Sequence, residues 1–267
     1  MRVLFLGDIV GRNARKTVLS KMPNLQKKNY IDFTVVNVEN AADGRGVTPK
    51  IADEFLSKGV DVLTTGNHVW DKSEIINYIS KETRLIRPIN MPEGTPGYGK
   101  KEVILDDGRK ILVINAMTNL FMPKNKSVFH ALESTLINIS LGDDYSAIIL
   151  DLHGEATSEK MAVGHYFDGK ISMIVGTHTH VPTADYQILP NGTAYQTDIG
   201  MCGDYDSVIG MEKKGAIARF FSKKSYLKVA KGEITICGSI VEIDDKTGKA
   251  FKILPVRLGG RLSATID

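Results

Sequence analysis

The chain has 267 residues, 42% of them hydrophobic and 24% charged, an ordinary globular composition that suits one large α/β domain or two small ones. No apolar run approaches the roughly 18 residues that a membrane span needs, and the opening MRVLFLGDIVG reaches Gly7-Asp8 too soon for a signal-peptide core. A net charge of +3 is too mild to argue for nucleic acid by itself, and the two cysteines, Cys202 and Cys237, form neither a CxxC pair nor a disulfide framework, so the expected compartment is the cytoplasm.

In chain order, RVLFLGD reads as a buried strand ending in Gly-Asp. A helix follows from about Arg12 to Lys28, with a kink expected before Pro23, and then a strand, DFTVVNVEN. TPKIADEFLSKG reads as a helix with Thr48 as N-cap, Pro49 at its first position and Gly59 past its end. DVLTTGNH is a third strand, and DKSEIINYISK a helix on which Asp71 and Glu74 have capping-box spacing. The Pro- and Gly-rich region Arg87 to Lys100 is a loop long enough to suggest function.

Two strands, KEVIL and RKILVINAM, are joined by a turn at Asp107-Gly108. A helix near Val128–Ile139, a strand SAIILDLHG, a helix near Ser158–Phe167 and a strand KISMIVGTHTH continue the alternation. The C-terminal part adds TAYQTD, a loop TDIGMCGDYDSVIGM, a short helix KGAIARFFSKK and a hairpin of ITICGSIVEID with AFKILPVRL. No repeat or linker interrupts this order, so a single α/β domain over 1–267 is the simplest reading.

Five apolar strands end in metal-ligand chemistry. FLGD delivers Asp8, VVNVEN delivers Glu39 and Asn40, LTTGNH delivers Asn67 and His68, IILDLH delivers His153, and IVGTHTH delivers His178 and His180. In open α/β sheets the ligand crevice lies at the carboxyl ends of the strands, so these side chains are expected to converge there. The donors are imidazole, carboxylate and amide groups without thiolate, which fits Fe, Mn, Zn or Co better than a structural zinc site. They are too many for one ion. Two ions about 3.5–4 Å apart, bridged by a carboxylate, would use them. Alternation along an extended segment would let His178 and His180 serve different ions.

With GDIVG, VNVENAADGRGV, TTGNHVWD, DLHGEATSEK, GTHTHVPTAD and TDIGMCGDYDSVIGM in this order, the chain resembles the calcineurin-like metallophosphoesterase superfamily. It is most similar to the YmdB-type branch of bacterial cyclic-nucleotide phosphodiesterases, over nearly its whole length. The resemblance implies a layered αββα sandwich with the site at the carboxyl ends of the strands. It implies Asp8, Asn40 and His180 on one metal, Asn67, His153 and His178 on a second, Glu39 bridging them, and His68 as general acid. Most of the superfamily has Asp-x-His at the first strand and bridges with Asp. Here position 10 is Val10 and the bridge is Glu39, so Asn40 would fill the missing imidazole's place with an amide oxygen. The resemblance implies iron, with manganese or zinc as alternatives.

The implied function is a dinuclear-metal phosphodiesterase acting on 2′,3′- or 3′,5′-cyclic nucleotides. A hydroxide held between two cations would attack phosphorus, and His68 would protonate the leaving alkoxide. The alternatives are a phosphomonoesterase or nuclease of the same superfamily, or an RNA-binding or regulatory protein with structural metals. Arg12 and Asn13, near a helix start, are weighed between phosphate contacts and solvated residues. Lys213 to Lys231 holds seven Lys or Arg and no acid, which fits a solvated face or an anionic or RNA contact. Trp70 and Asp71 follow His68 directly and read as shaping the loop under it, with base stacking as the alternative for Trp70. His130 and His165 lie in helical patterns and read as structural or surface residues. TDIGMCGDYDSVIGM would line the site or a subunit contact, and a homo-oligomer is compatible with all of this.

Overall fold

The computed structural model describes residues 1–266. Its N-terminal half runs β1 (Arg2–Leu6), β2 (Asp8–Ile9), α1 (Gly11–Lys28), β3 (Phe33–Asn37), α2 (Pro49–Leu56), β4 (Val62–Thr64), α3 (Ile75–Ile79), β5 (Lys100–Ile104) and β6 (Lys110–Met117). After α4 (Val128–Leu136) come β7 (Ala147–His153), α5 (Thr157–Tyr166), β8 (Met173–Thr177), β9 (Gln187–Ile188) and β10 (Ala194–Gln196). The chain closes with β11 (Met201–Asp204), α6 (Lys213–Phe220), β12 (Ile234–Ile243) and β13 (Ala250–Leu258).

These strands form two sheets, one ordered β2-β11-β12-β1-β3-β4 with β13 on β12, the other β5-β6-β7-β8-β10-β9. Strands β1, β3 and β4 are parallel, as are β6, β7 and β8. Side-chain alternation sorts the core into three layers. Val3, Phe5 and Val35 of the first sheet meet Val113, Ile149 and Val175 of the second in the layer between the sheets. Leu4, Leu6 and Val36 face the other way, onto Val18 and Met22 of α1 and Phe55 of α2. Leu150, Leu152 and Ile174 pack against Leu132 of α4 and Val163 of α5. Helix, sheet, sheet, helix is the expected αββα sandwich. Among the described residues no helix is long and apolar enough to cross a membrane.

Several local expectations hold, and others do not. The Thr48 side chain accepts from Ile51 N with Pro49 at the first position, as the residues predict. α1 runs unbroken through Pro23. The capping box at Asp71 and Glu74 is not formed, because α3 begins only at Ile75 and Glu74 makes no capping bond. The Asp71 carboxylate is drawn instead to the imidazole of His68, 3.0 Å away. The segment TDIGMCGDYDSVIGM is not all loop. It contains β11, paired with β2 on one side and β12 on the other. Because β11 is buried along its whole length, its four residues show no alternation to read.

The loop Arg87–Lys100 is held by its own arginine. The Arg87 guanidinium donates to the carbonyls of Pro88, Thr95, Pro96 and Gly97. That is a structural closure, and Asn90 of the same loop bonds both backbone groups of Met117 at the end of β6.

The two sheets are pinned at their carboxyl ends by one buried carboxylate. Asp151 on β7 accepts from Asn37 Nδ2 of β3 at 2.9 Å and Thr177 Oγ1 of β8 at 2.7 Å, and from the Thr64 hydroxyl of β4. Burial raises its pKa, against the pull of His153 and these donors. A buried donor left without a partner costs about 1–3 kcal/mol, so Asp151→Ala should destabilise the protein by at least about 3 kcal/mol, read as a shift in the urea midpoint. Stability within about 1 kcal/mol of the native value, on the scale of an ordinary surface change, would remove the clamp.

Candidate metal centre

The strand ends converge. β1 and β3 run parallel with Leu6 beside Val36, so Asp8, two residues on, reaches the same edge as Glu39 and Asn40. β3 and β4 align Asn37 with Thr64, which brings Asn67 and His68 next to them. In the second sheet His153 is level with Thr177, one residue before His178. The first sheet therefore contributes the oxygen donors and His68, and the second contributes three imidazoles.

His153 Nε2 is the centre of one group. It lies 2.9 Å from Asn67 Oδ1, 3.1 Å from Glu39 Oε1 and 3.1 Å from His178 Nδ1. A ring nitrogen carries at most one proton, which cannot serve three acceptors. Such a set could hold a cation. Glu39, His153 and His178 each offer an atom within 4.8 Å of the others. The second group is looser. His180 Nε2 is 3.3 Å from Asn40 Oδ1 and 4.0 Å from Asp8 Oδ1. Asp8 Oδ1 is fully buried without a hydrogen-bond partner, an arrangement that a cation would relieve.

The far side of each imidazole fixes which nitrogen faces inward. His153 Nδ1 meets Thr177 Oγ1 at 2.8 Å, and that hydroxyl donates onward to Asp151. His178 Nε2 meets the Glu155 carboxylate at 3.2 Å. His180 Nδ1 meets the Ile209 carbonyl at 2.8 Å. In all three the outer nitrogen is taken, so the inner nitrogen is the one left to offer a metal its lone pair. Asn40 is oriented in the same way. Its Nδ2 donates to Gly44 O, which turns Oδ1 toward His180.

His178 and His180 do part to different groups, but not by strand alternation. β8 ends at Thr177, and both histidines have left-handed backbone, φ 97° and 67°. Such a turn is strained for residues with a side chain. It is held by Asp198, which accepts from Thr179 N at 3.1 Å and from the buried Lys160 at 3.0 Å. Lys160 also donates to Thr177 O.

Space and charge agree with the ligand reading. A Cβ built on Gly66 would lie 2.3 Å from Glu39 Oε2 and 2.3 Å from His153 Nε2, so only glycine lets the two donors meet. Burial alone would raise Glu39, but the charge and hydrogen bond of His153 outweigh it and hold Glu39 down at about 2. Burial opposes a charged His153, yet Glu39 and the other carboxylates push it up to about 9. Burial, then the neighbouring His153, lowers His178 to about 3, so its ring stays neutral. Burial raises Asp8 to about 6, against the pull of His180 and His153.

A cavity of about 270 Å³ opens over these donors. His68 borders it with a side chain 23% exposed, its Nδ1 against Asp71. Arg45 and Glu155 also line it, and Ile209, Met211 and Leu227 form an apolar wall. Arg12 does not reach it and lines a separate cleft with Arg15 and Lys50. Trp70 packs against the helix-side core rather than in the cavity. His130 and His165 are not in the cavity lining and lie on α4 and α5. Sequence reasoning placed Asp71 under His68 but missed Glu155, Lys160, Thr177 and Asp198, whose partners are distant in the chain or lie on a loop. It also missed Arg45, which stands in VNVENAADGRGV but carries no spacing signal of its own.

Two measurements test the centre. Gly66→Ala should lose most of the bound metal while the circular dichroism stays native, and a variant with full metal content would contradict the packing of Glu39 and His153. At pH 7 a proton occupies His153 in the metal-free protein, because its pKa is raised to about 9. A metal must displace it, so cation uptake should release about one proton per chain at pH 7 and progressively less as the pH passes about 9, read with a pH indicator. Release that is absent at pH 7 would contradict His153 as a ligand.

Known proteins resemble this chain in sequence and in fold. The model of a family described as YmdB-like protein matches residues 4–256. The 2′,3′-cyclic-nucleotide 2′-phosphodiesterase of Bacillus subtilis (strain 168) is 45% identical, over 95% of each chain. A crystal structure of a hypothetical protein from Thermus thermophilus superposes with a TM-score of 0.90 at 35% identity, covering 98% of this chain and 100% of that one. A structure described as a novel phosphatase of Mycoplasma pneumoniae gives a TM-score of 0.90 at 32% identity, covering 97% of this chain and 93% of that one. On the family match and these identities over nearly full length, the chain belongs to the YmdB-like protein family.

Proposed function

We propose that this chain is a metal-dependent phosphodiesterase that opens small cyclic nucleotides, the 2′,3′-cyclic kind first, with 3′,5′-cyclic nucleotides as a second substrate. The observation that carries the reading is the inward set of lone pairs under a cavity that His68 borders. The activity named for the Bacillus subtilis relative supports the choice of substrate. Asp8, Asn40 and His180 would hold one ion, Asn67, His153 and His178 a second, with Glu39 between them. Iron is the proposed metal, with manganese or zinc able to take the same nitrogen and oxygen donors. When bound, the ions would supply positive charge for the phosphate oxygens and lower the pKa of a bound water.

The chain's own residues do the rest. In the proposed reaction a water oxygen adds to phosphorus, the P–O2′ bond breaks, the 2′ oxygen gains a proton, and a 3′-phosphomonoester remains. An alkoxide is a poor leaving group and needs that proton at the moment of cleavage. His68 is the proposed donor. Asp71 holds its Nδ1 at 3.0 Å and its backbone N–H donates to Glu39, so Nε2 is the ring nitrogen available to substrate. Arg45, with no carboxylate partner among the described residues, would bind phosphate. The apolar wall of Ile209, Met211 and Leu227 would receive the base. The working unit is one domain over 1–267, and the proposed compartment is the cytoplasm.

His68→Ala separates the proton donor from the ligands. It should keep its metal, and its rate on 2′,3′-cyclic AMP should fall by roughly 10²–10⁴, the usual weight of a general acid. A bis-nitrophenyl phosphate leaves as a stabilised phenolate and should lose much less. Equal losses on both with metal retained would make His68 a phosphate-binding residue, and lost metal would make it a ligand. A native protein that turns over nitrophenyl monoester but neither diester would replace the phosphodiesterase reading with a phosphomonoesterase.

A further inference from the structure

Apart from Leu227, the basic segment after the site is unused by the mechanism above. From Lys213 to Lys231 it carries seven Lys or Arg and no acid. Only Lys213 has a carboxylate partner, Asp206, among the described residues. Large apolar side chains stand in solvent between the charges: Phe220 is 85% exposed, Phe221 72% and Tyr226 91%. A solvated helix face would not hold three exposed aromatics among its cations. Cations tracking a backbone with aromatics for stacking are the two elements of a single-strand nucleic-acid surface.

This surface is continuous with the site. Ile209, Met211 and Leu227 line both the cavity over the metal donors and a neighbouring apolar groove of about 400 Å³. The groove continues to Arg219 and Phe220. A ligand whose phosphate sits at the donors and whose base rests on the shared wall has its next nucleotide directed at Phe220 and Arg219.

We propose that the preferred substrate is a short single-stranded RNA ending in a 2′,3′-cyclic phosphate, with the nucleotides upstream of that end lying along 208–228. This rests on the phosphodiesterase reading and deepens it. A terminal cyclic phosphate has chain on one side only, which matches a groove that leaves the donors along this strip. The chemistry is that already written: water adds to phosphorus, the P–O2′ bond breaks, the 2′ oxygen takes a proton, and the RNA ends in a 3′-phosphate. The Phe220 ring would stack on the penultimate base, and Arg219 and Lys228 would meet phosphates.

The test compares 2′,3′-cyclic AMP with a tetra-adenylate ending in the 2′,3′-cyclic phosphate, on the metal-loaded native protein and on a double variant, Arg219→Ala with Phe220→Ala. Both side chains are exposed and lie beyond the cavity lining, so the fold and the mononucleotide rate should stay within about twofold. One stacked base and one phosphate contact predict a native kcat/KM about tenfold higher for the oligonucleotide, carried by KM. In the variant the ratio should fall to near one. A native ratio at or below one, or a ratio that the variant leaves unchanged, overturns the proposal. So does a variant that shifts from dimer to monomer in sedimentation with its substrate ratio unaltered, since the surface would then hold a second copy. Fluorescence anisotropy of a labelled tetra-adenylate 3′-phosphate needs no turnover. Binding weakened about tenfold in the variant supports the groove even if the mononucleotide is not hydrolysed, an outcome that would count against the phosphodiesterase reading alone. Absence of binding to the native protein overturns the groove.

Discussion

Three imidazole nitrogens point into one pocket, and the rest of the site depends on keeping them so. Rings set this closely in a buried pocket would normally rotate to escape the contact. They are prevented because every outer nitrogen is already bonded, to Thr177, Glu155 and the Ile209 carbonyl. Two of those partners are held in turn by something larger. Thr177 ends a central strand and reaches Asp151, the carboxylate that joins the sheets. Ile209 sits on the segment that follows β11. The turn carrying His178 and His180 is fastened by Lys160 and Asp198, a fully buried ion pair. Such a pair is expensive to desolvate and is a poor choice for stability alone. Its placement under a strained turn gives it a positional task.

Much of this was legible in the residues. The α/β class followed from the alternation of short apolar runs with helical patterns, the layered sandwich from the resemblance, and the candidate donors from what stood at the end of each run. Val38, Val36 and Val35 are all buried, and a buried run ending in Glu-Asn is hard to explain as an ordinary turn. The supporting partners were less visible because their meaning is spatial. Lys160 sits in a helical pattern where a lysine normally faces water, and Asp198 lies 38 residues away on a loop. Asp71 illustrates the opposite error. Its spacing to Glu74 fits a capping box, but a nearby imidazole won the competition for its carboxylate. β11 was hidden for a different reason: Met, Cys, Gly and Asp buried on both faces leave no period to detect.

The opposite origins of the donors connect the chemistry to the fold. Asp8, Glu39, Asn40 and Asn67 come from the first sheet and are all oxygen donors. His153, His178 and His180 come from the second and are all nitrogen donors. Neither sheet by itself assembles a complete ligand set, so a cation bound here would bridge the sheets at the same end where Asp151 already does. A ligand that binds only the assembled junction stabilises that junction, and the unfolded chain has no preformed site to compete for it. The largely apolar layer between the sheets fixes their separation, and Gly66, with no Cβ, lets the first sheet's carboxylate and the second sheet's imidazole touch. The strands with their buried faces therefore act as the positioning device for the site, and the loops after them supply the atoms.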